Sequence, residues 1–265
     1  MPTRRATCDL ARLEHALLPV HEADAYTSDT APFAVGVAFT GQSRAVVGRP
    51  GEPSRTLDVL PGSAGVNGPR PLTWLRTAAV SESVEIVPTA AALASAAADH
   101  GVVWADAPDY RLRDRDPVVW AAAARVRRRL ATGPAGGDDE LVTALLAHVA
   151  VAWLGGREVR GSRLGAEALR AVGDRVHDDP WAPHRLADLA ASAHLSPFHF
   201  LRSFRAATGT TPHAFVSDVR AEAVRRRLAA GATVSAVAGE VGVDPRQLRR
   251  LHRRCTGEPL RGHPR

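Results

Sequence analysis

Two groups of side chains in the last third of the chain have types and spacing suited to binding rather than to breaking bonds. One is Arg246, Gln247, Arg249, Arg250 and Arg253; the other is Phe198, His199, Leu201, Arg202 and Arg205. If each stretch is a helix, Leu248, Leu251 and Cys255 fall on the inner face of one, and Phe200, Phe204 and Ala207 on that of the other. The ten polar, basic and apolar residues are then left outside. A guanidinium is a planar fork that meets guanine O6 and N7, or a phosphate, with two hydrogen bonds. Phe198 and Leu201 are suited to packing on thymine methyl groups. The same arginines would also suit an ordinary solvated surface, so the elements that carry them decide the matter.

Other chemistries find less support. Cys8 and Cys255 form neither a disulfide framework nor a zinc spacing. The histidines of the first 180 residues, His15, His21, His100, His148 and His177, lack ligand spacing, so no metal and no cofactor are expected. His21-Glu22 is read as a surface pair. Nucleophile–base pairs, phosphate loops and paired catalytic carboxylates do not stand out. The expectation is a protein that is not an enzyme.

The two groups sit in a repeat. Residues 184–209 and 232–257 align at an offset of 48 without a gap. Leu186 matches Val234, Leu189 matches Val237, and Ala190 matches Ala238. Further on, Leu195 matches Val243, Ser196 matches Asp244, Pro197 matches Pro245, Phe200 matches Leu248, and Arg202 matches Arg250. Thr208-Gly209 matches Thr256-Gly257. Each copy reads as helix, tight turn, helix. His194 and Gly242 mark the turns, and Ser196 and Asp244 are N-caps followed by proline at the first helical position. Gly209 and Gly257 end the second helices. A second helix reached through a turn of three or four residues is the geometry that enters a DNA major groove.

These residues resemble the AraC/XylS family of transcription regulators. The likeness is carried by HRLADLAASAHLSPFHFLRSFRAATGTTPHAF and VRAEAVRRRLAAG, with Ser196, Phe200, Arg202, Phe204 and Gly209–Pro212 matching the family signature. It implies two helix-turn-helix units joined by a long helix, here Pro212–Ala230, with both recognition helices on one face of duplex DNA. Asp116–Trp153 is similar to the helical tail of the family's cupin-like sensor domains. The second unit departs from the pattern: Val243 stands for a phenylalanine, His252 for an aromatic, and Gly257-Glu258-Pro259 is one residue short. His252 is expected to pack poorly, and the arginine-rich second face to hold phosphates more than to read bases.

Charge and composition agree with that division. All 34 basic residues are arginine. Residues 181–265 hold 14 Arg and 6 acids, a balance of +8, whereas residues 1–180 hold 20 Arg and 22 acids, a balance of −2. The excess positive charge therefore sits with the repeat. Upstream, Phe33, Val35, Val37 and Phe39 alternate as in a strand, and β-like pieces recur at Ala45–Val47, Thr56–Leu60, Leu72–Leu75 and Val84–Val87. Residues 1–30 carry no clear pattern. Helices are expected over Thr89–Asp99, Pro117–Leu130 (capped by Asp116) and Asp138–Leu154.

The fold class expected is α+β in two domains. Residues 1–160 would form a β-rich, cupin-like barrel for sensing or dimerisation, with a helical tail from about residue 116. Residues 161–265 would form an all-α double helix-turn-helix, with the Gly-rich 155–165 as linker. Arg4 and Arg5 have no apolar stretch behind them, so no signal peptide is expected. Leu141–Leu154 is too short to span a bilayer, which needs about 20 residues. A cytoplasmic protein with no membrane partner follows. Double-stranded DNA is the expected partner. A small-molecule effector, RNA polymerase and a second copy in a homodimer are the others considered. Two rivals stand beside this reading: a cupin-type enzyme or alkyl acceptor carrying the DNA-binding half, and an adaptor whose second unit has lost DNA.

Overall fold

The computed structural model describes residues 3–20, 28–49, 51–70, 72–133, 138–157, 164–257 and 259–260. Its first half is β-rich and its second half helical, the α+β division expected. Six strands form an antiparallel sheet in the order β1 (Arg4–Thr7), β2 (Ala11–Leu18), β9 (Ser81–Pro88), β4 (Val35–Ala38), β7 (Ala64–Asn67), β10 (Tyr110–Arg113). Four more form a second sheet in the order β3 (Ser28–Asp29), β8 (Thr73–Arg76), β5 (Gln42–Gly48), β6 (Arg55–Val59). Among the described residues these are two facing sheets, with no ladder closing them into a ring.

Alternation explains the first sheet. Ala11, Leu13, Val35, Val37, Ala64, Val66, Val84 and Ile86 are buried on one face. Phe33 does not extend β4; it takes φ +58° in the preceding turn and sets its ring edge-on to Trp104. The next residues of the stripe, Val35, Val37 and Phe39, are buried as alternation requires.

The helices then cover that face. Thr89 caps α1 (Ala90–His100), and Asp116 caps α2 (Pro117–Thr132) by accepting from the backbone of Val118 and Val119. α3 (Asp138–His148) continues into a π turn over Val149–Trp153. Asp116 also accepts from His148 Nε2 (2.9 Å) and Trp153 Nε1 (2.8 Å), which ties both helices together. Burial alone would raise that carboxyl, but these hydrogen bonds and the His148 charge outweigh it and leave it lowered. From Val118 to Ala124, and again at Val126, α2 is buried on all sides. Such a helix belongs between layers. It lies under the first sheet, with Trp120 edge-on to Phe39, and over the helical half, with Trp120 edge-on to Phe215.

The helical half comprises α4 (Ala166–Asp178), α5 (Leu186–Ser192), α6 (Pro197–Thr208), α7 (Pro212–Ala229), α8 (Val234–Glu240) and α9 (Pro245–Thr256). The apolar core is not divided where the Gly-rich segment lies. One cluster runs from Ala11 through α2 and α3 to Leu189, Phe200, Phe204, Phe215 and Val219. A second, smaller one holds Val224, Leu228, Val234, Val237, Ala238 and Leu248. The first helix-turn-helix thus shares its core with the N-terminal half, and the second has its own. Residues 158–163 of the expected linker lie outside the described residues.

Candidate nucleic-acid interface

The 48-residue offset is kept in three dimensions. α5 and α8 each begin and end 48 residues apart, as do α6 and α9. The turns match too: Leu195 N donates to Ala190 O, and Val243 N to Ala238 O, both at 3.0 Å. His194 takes φ +55° and Gly242 φ +69° at equivalent turn positions. Glycine enters that region freely, whereas His194 does so at a small cost in strain. Ser196 Oγ accepts from His199 N and Asp244 from Arg246 N, so both second helices are capped as their sequences require.

Burial separates the faces. In α6, Phe200, Phe204 and Thr208 are buried; in α9, Leu248, His252, Cys255 and Thr256 are. Ala207 and Leu251, expected inside, are only half-buried. Leu186 is 37% exposed where its counterpart Val234 is 6%. His252 finds polar company in the core: Thr256 Oγ1 lies 3.3 Å from its Nδ1 and donates to its carbonyl at 2.9 Å. The departures from the family pattern therefore leave the shape of the second unit intact.

On the outside of α6, Phe198 is 66% exposed, His199, Arg202 and Arg205 are exposed, and Leu201 is half-buried. The Arg202 guanidinium lies over the Phe198 ring at 5.6 Å. On α9, Arg246, Gln247, Arg249, Arg250 and Arg253 are all exposed. Arg254 joins them; it was missed because it borders the inner position Cys255. Among the described residues no carboxylate or carbonyl engages the guanidinium of Arg202, Arg205, Arg246, Arg249, Arg250 or Arg253. Elsewhere in the protein arginines are consumed in internal pairs, such as Arg127–Glu222, Arg128–Asp218 and Arg227–Glu240. The outward faces of α6 and α9 hold cations that the fold itself does not use.

A pair of capped helices carrying free guanidiniums on a shared helical scaffold defines a helix-turn-helix protein that binds DNA. A helix-turn-helix domain family matches residues 189–262. The HTH-type transcriptional regulator Rv1931c of Mycobacterium tuberculosis is 30% identical over 238 residues, covering 74% of this chain and 89% of that one. The chain belongs to the AraC/XylS family, and it is a DNA-binding transcription regulator. Among solved structures, ToxT from Vibrio cholerae is similar at 10% identity and a TM-score of 0.35, over 93% of this chain and 96% of that one. The AraC-like transcriptional activator CuxR is similar at 13% identity and 0.37, over 83% and 76%.

The remaining candidates fall elsewhere. His15 meets Glu82, His100 the carbonyl of Arg157, and His148 Asp116, while His177 lies between the rings of Trp120 and Phe215. Burial, with Arg115 and Arg226 nearby, lowers the His177 pKa to about 4. His21 lies outside the described residues. No helix among them is long and apolar enough to cross a membrane.

Proposed function

We propose that α6 and α9 both enter duplex DNA, with Phe198, His199, Leu201, Arg202 and Arg205 on one and Arg246, Gln247, Arg249, Arg250 and Arg253 on the other. The observation that carries this reading is the conserved offset of two capped helices whose outward arginines have no internal partner. Residues 1–160 and 161–265 act as its regulatory and DNA-binding halves. A homodimer in the cytoplasm, recruiting RNA polymerase, is the working form that fits a regulator of this kind. The cysteines do not favour the alkyl-acceptor alternative: burial and then Asp218 push the Cys255 thiol up to about 12, and burial and Asp139 raise that of Cys8. Neither is an activated nucleophile.

Gel shifts on duplexes selected by the full chain from random sequence test the reading. A severalfold rise in salt should weaken binding by about an order of magnitude or more, because each phosphate contact releases counterions. A flat salt response would remove the electrostatic basis.

A small-molecule effector would enter between the two sheets, where a cavity of about 70 Å³ would have to open several-fold to hold one. Gly36, Gly65, Glu85, Tyr110, Trp74 and Asn67 line it. Glu85 has no hydrogen-bond or ion-pair partner among the described residues. Burial, and then Glu14 across the β2–β9 ladder, raise its pKa to about 7, against a weaker pull from Arg12. Tyr110 is pushed to about 12 by burial and by Glu85 itself. A carboxyl raised on folding binds its proton more tightly when folded. Its contribution should therefore be present below pH 4.5 and fade as pH rises to about 7. Urea unfolding should show Glu85→Gln gaining on the parent across that window. Parallel pH profiles for the two proteins would show that Glu85 ionises as freely in the folded state as in water.

A further inference from the structure

Both reading helices end against α2, a helix of the N-terminal half. Arg125 Nη1 donates to Gly209 O at 2.8 Å, at the C-cap of α6. Arg128 Nε donates to Cys255 O at 2.8 Å, in the last turn of α9. These carbonyls lie at the C-terminal ends of the two repeats, where a helix has unpaired acceptors and negative partial charge. The two arginines are one turn apart on α2 and so meet the two ends in parallel. The backbone approach is close. A Cβ at Gly257 would collide with Thr132 Cγ2 of α2, and one at Gly209 would lie 3.0 Å from Leu141 Cδ1 of the neighbouring α3.

α2 also grips the helix between the units. Arg128 pairs with both oxygens of Asp218, and Arg127 with Glu222 at 3.0 Å. Asp218 and Glu222 are one turn apart on α7. The second unit has an apolar cluster separate from the main core, so its placement relative to the first rests on α7 and on these polar contacts.

We propose that α2 is the spacer of the two reading heads. Arg125 and Arg128 act as positioning residues that set the separation at which α6 and α9 are presented, and hence which spacing between the two contacted DNA segments is bound. Neither arginine lies on the outward faces assigned to DNA. The inference rests on both helices entering DNA. It adds that the N-terminal half holds part of the specificity, as geometry rather than as base contact.

The experiment uses the full chain and a duplex selected by it. Spacer variants of that duplex are lengthened or shortened by one to several base pairs, and truncated duplexes keep only one contacted segment. Arg125→Ala removes the hydrogen bond to Gly209 O at the end of α6. It should bind the truncated duplex as the wild type does, while its preference for the best spacing over its neighbours falls by about an order of magnitude, the worth of one hydrogen bond to a charged group. Arg128→Lys keeps the Asp218 ion pair but loses the fork to Cys255 O, and should relax the preference in the same direction. Arg125→Lys should restore part of it. Loss of fold would lower affinity for the truncated duplex too, and a thermal melt would register it. An unchanged spacing preference in Arg125→Ala and Arg128→Lys overturns the spacer role while leaving the two-headed reading intact. A wild type indifferent to spacing overturns both.

Discussion

Replacing Arg127 by alanine should cost the folded protein about 3 kcal/mol, the low end of the cost of breaking a buried ion pair. Arg127 is 7% exposed and lies between two carboxylates that are themselves buried, Glu82 at 3.6 Å and Glu222 at 3.0 Å. Its guanidinium also stacks on Phe39, 3.8 Å from the ring centre. Arg225 remains bound to both carboxylates, and His15 to Glu82, so one positive partner is lost rather than all. The network joins β9, α2 and α7, so its loss loosens the contact between the sheet and the helix that links the two reading units. Urea titration of the full chain measures the cost. A loss below about 1 kcal/mol would mean that the cluster behaves as exposed pairs do.

The same variant has a pH signature. Burial would raise the Glu82 carboxyl, but the hydrogen bond from His15 and the charges of Arg225 and Arg127 hold it at about 2. A carboxyl lowered on folding stabilises the protein above its unfolded value of 4.5, and that stabilisation is lost as pH falls toward 2. Without Arg127 the folded value moves up, so acid unfolding should begin at higher pH.

The sequence carried the helical half more clearly than the β half, for physical reasons. Helix ends are written locally: Ser196-Pro197, Asp244-Pro245, Asp116-Pro117, Gly209 and Gly257 each fix one terminus through a cap or a left-handed backbone. Strands are written jointly with their partners. β2 reads as ARLEHALL, with His15 breaking the inner stripe of Ala11 and Leu13, and becomes a strand because β1 and β9 flank it. β7 lies in a Gly- and Pro-rich stretch that looks like a loop, yet β4 and β10 pair with it. The reading faces were legible because inner positions recur at helical spacing. The spacer arginines were not: Arg125 and Arg128 belong to an ordinary amphipathic run, and only the fold brings them to Gly209 and Cys255. Core continuity was equally hidden. A Gly-rich segment marks a break in the chain, and nothing local says that Phe204 and Phe215 pack toward Trp120 from beyond it.

The two reading helices should fail differently when their arginines are removed. On α6, Arg202 stands over the exposed ring of Phe198, with Leu201 half-buried beside it. Such a face is suited to discriminating bases, the apolar side chains by packing on thymine methyls and the fork by bonding guanine. Arg202→Ala should cost about 1–3 kcal/mol on the selected duplex and relax its sequence preference. On α9, Arg249 is one of several adjacent exposed arginines with no apolar neighbour on the outward face. Adjacent positive charges clamp two phosphate strands more readily than they choose among bases. Arg249→Ala should weaken selected and scrambled duplexes by similar factors and reduce the salt slope by about one unit. Titrations of both variants on both duplexes at several salt concentrations separate the cases. If Arg249→Ala erased the preference while Arg202→Ala kept it, the roles of the helices would be exchanged. If neither variant changed binding, the outward faces of α6 and α9 would not be where this regulator meets DNA.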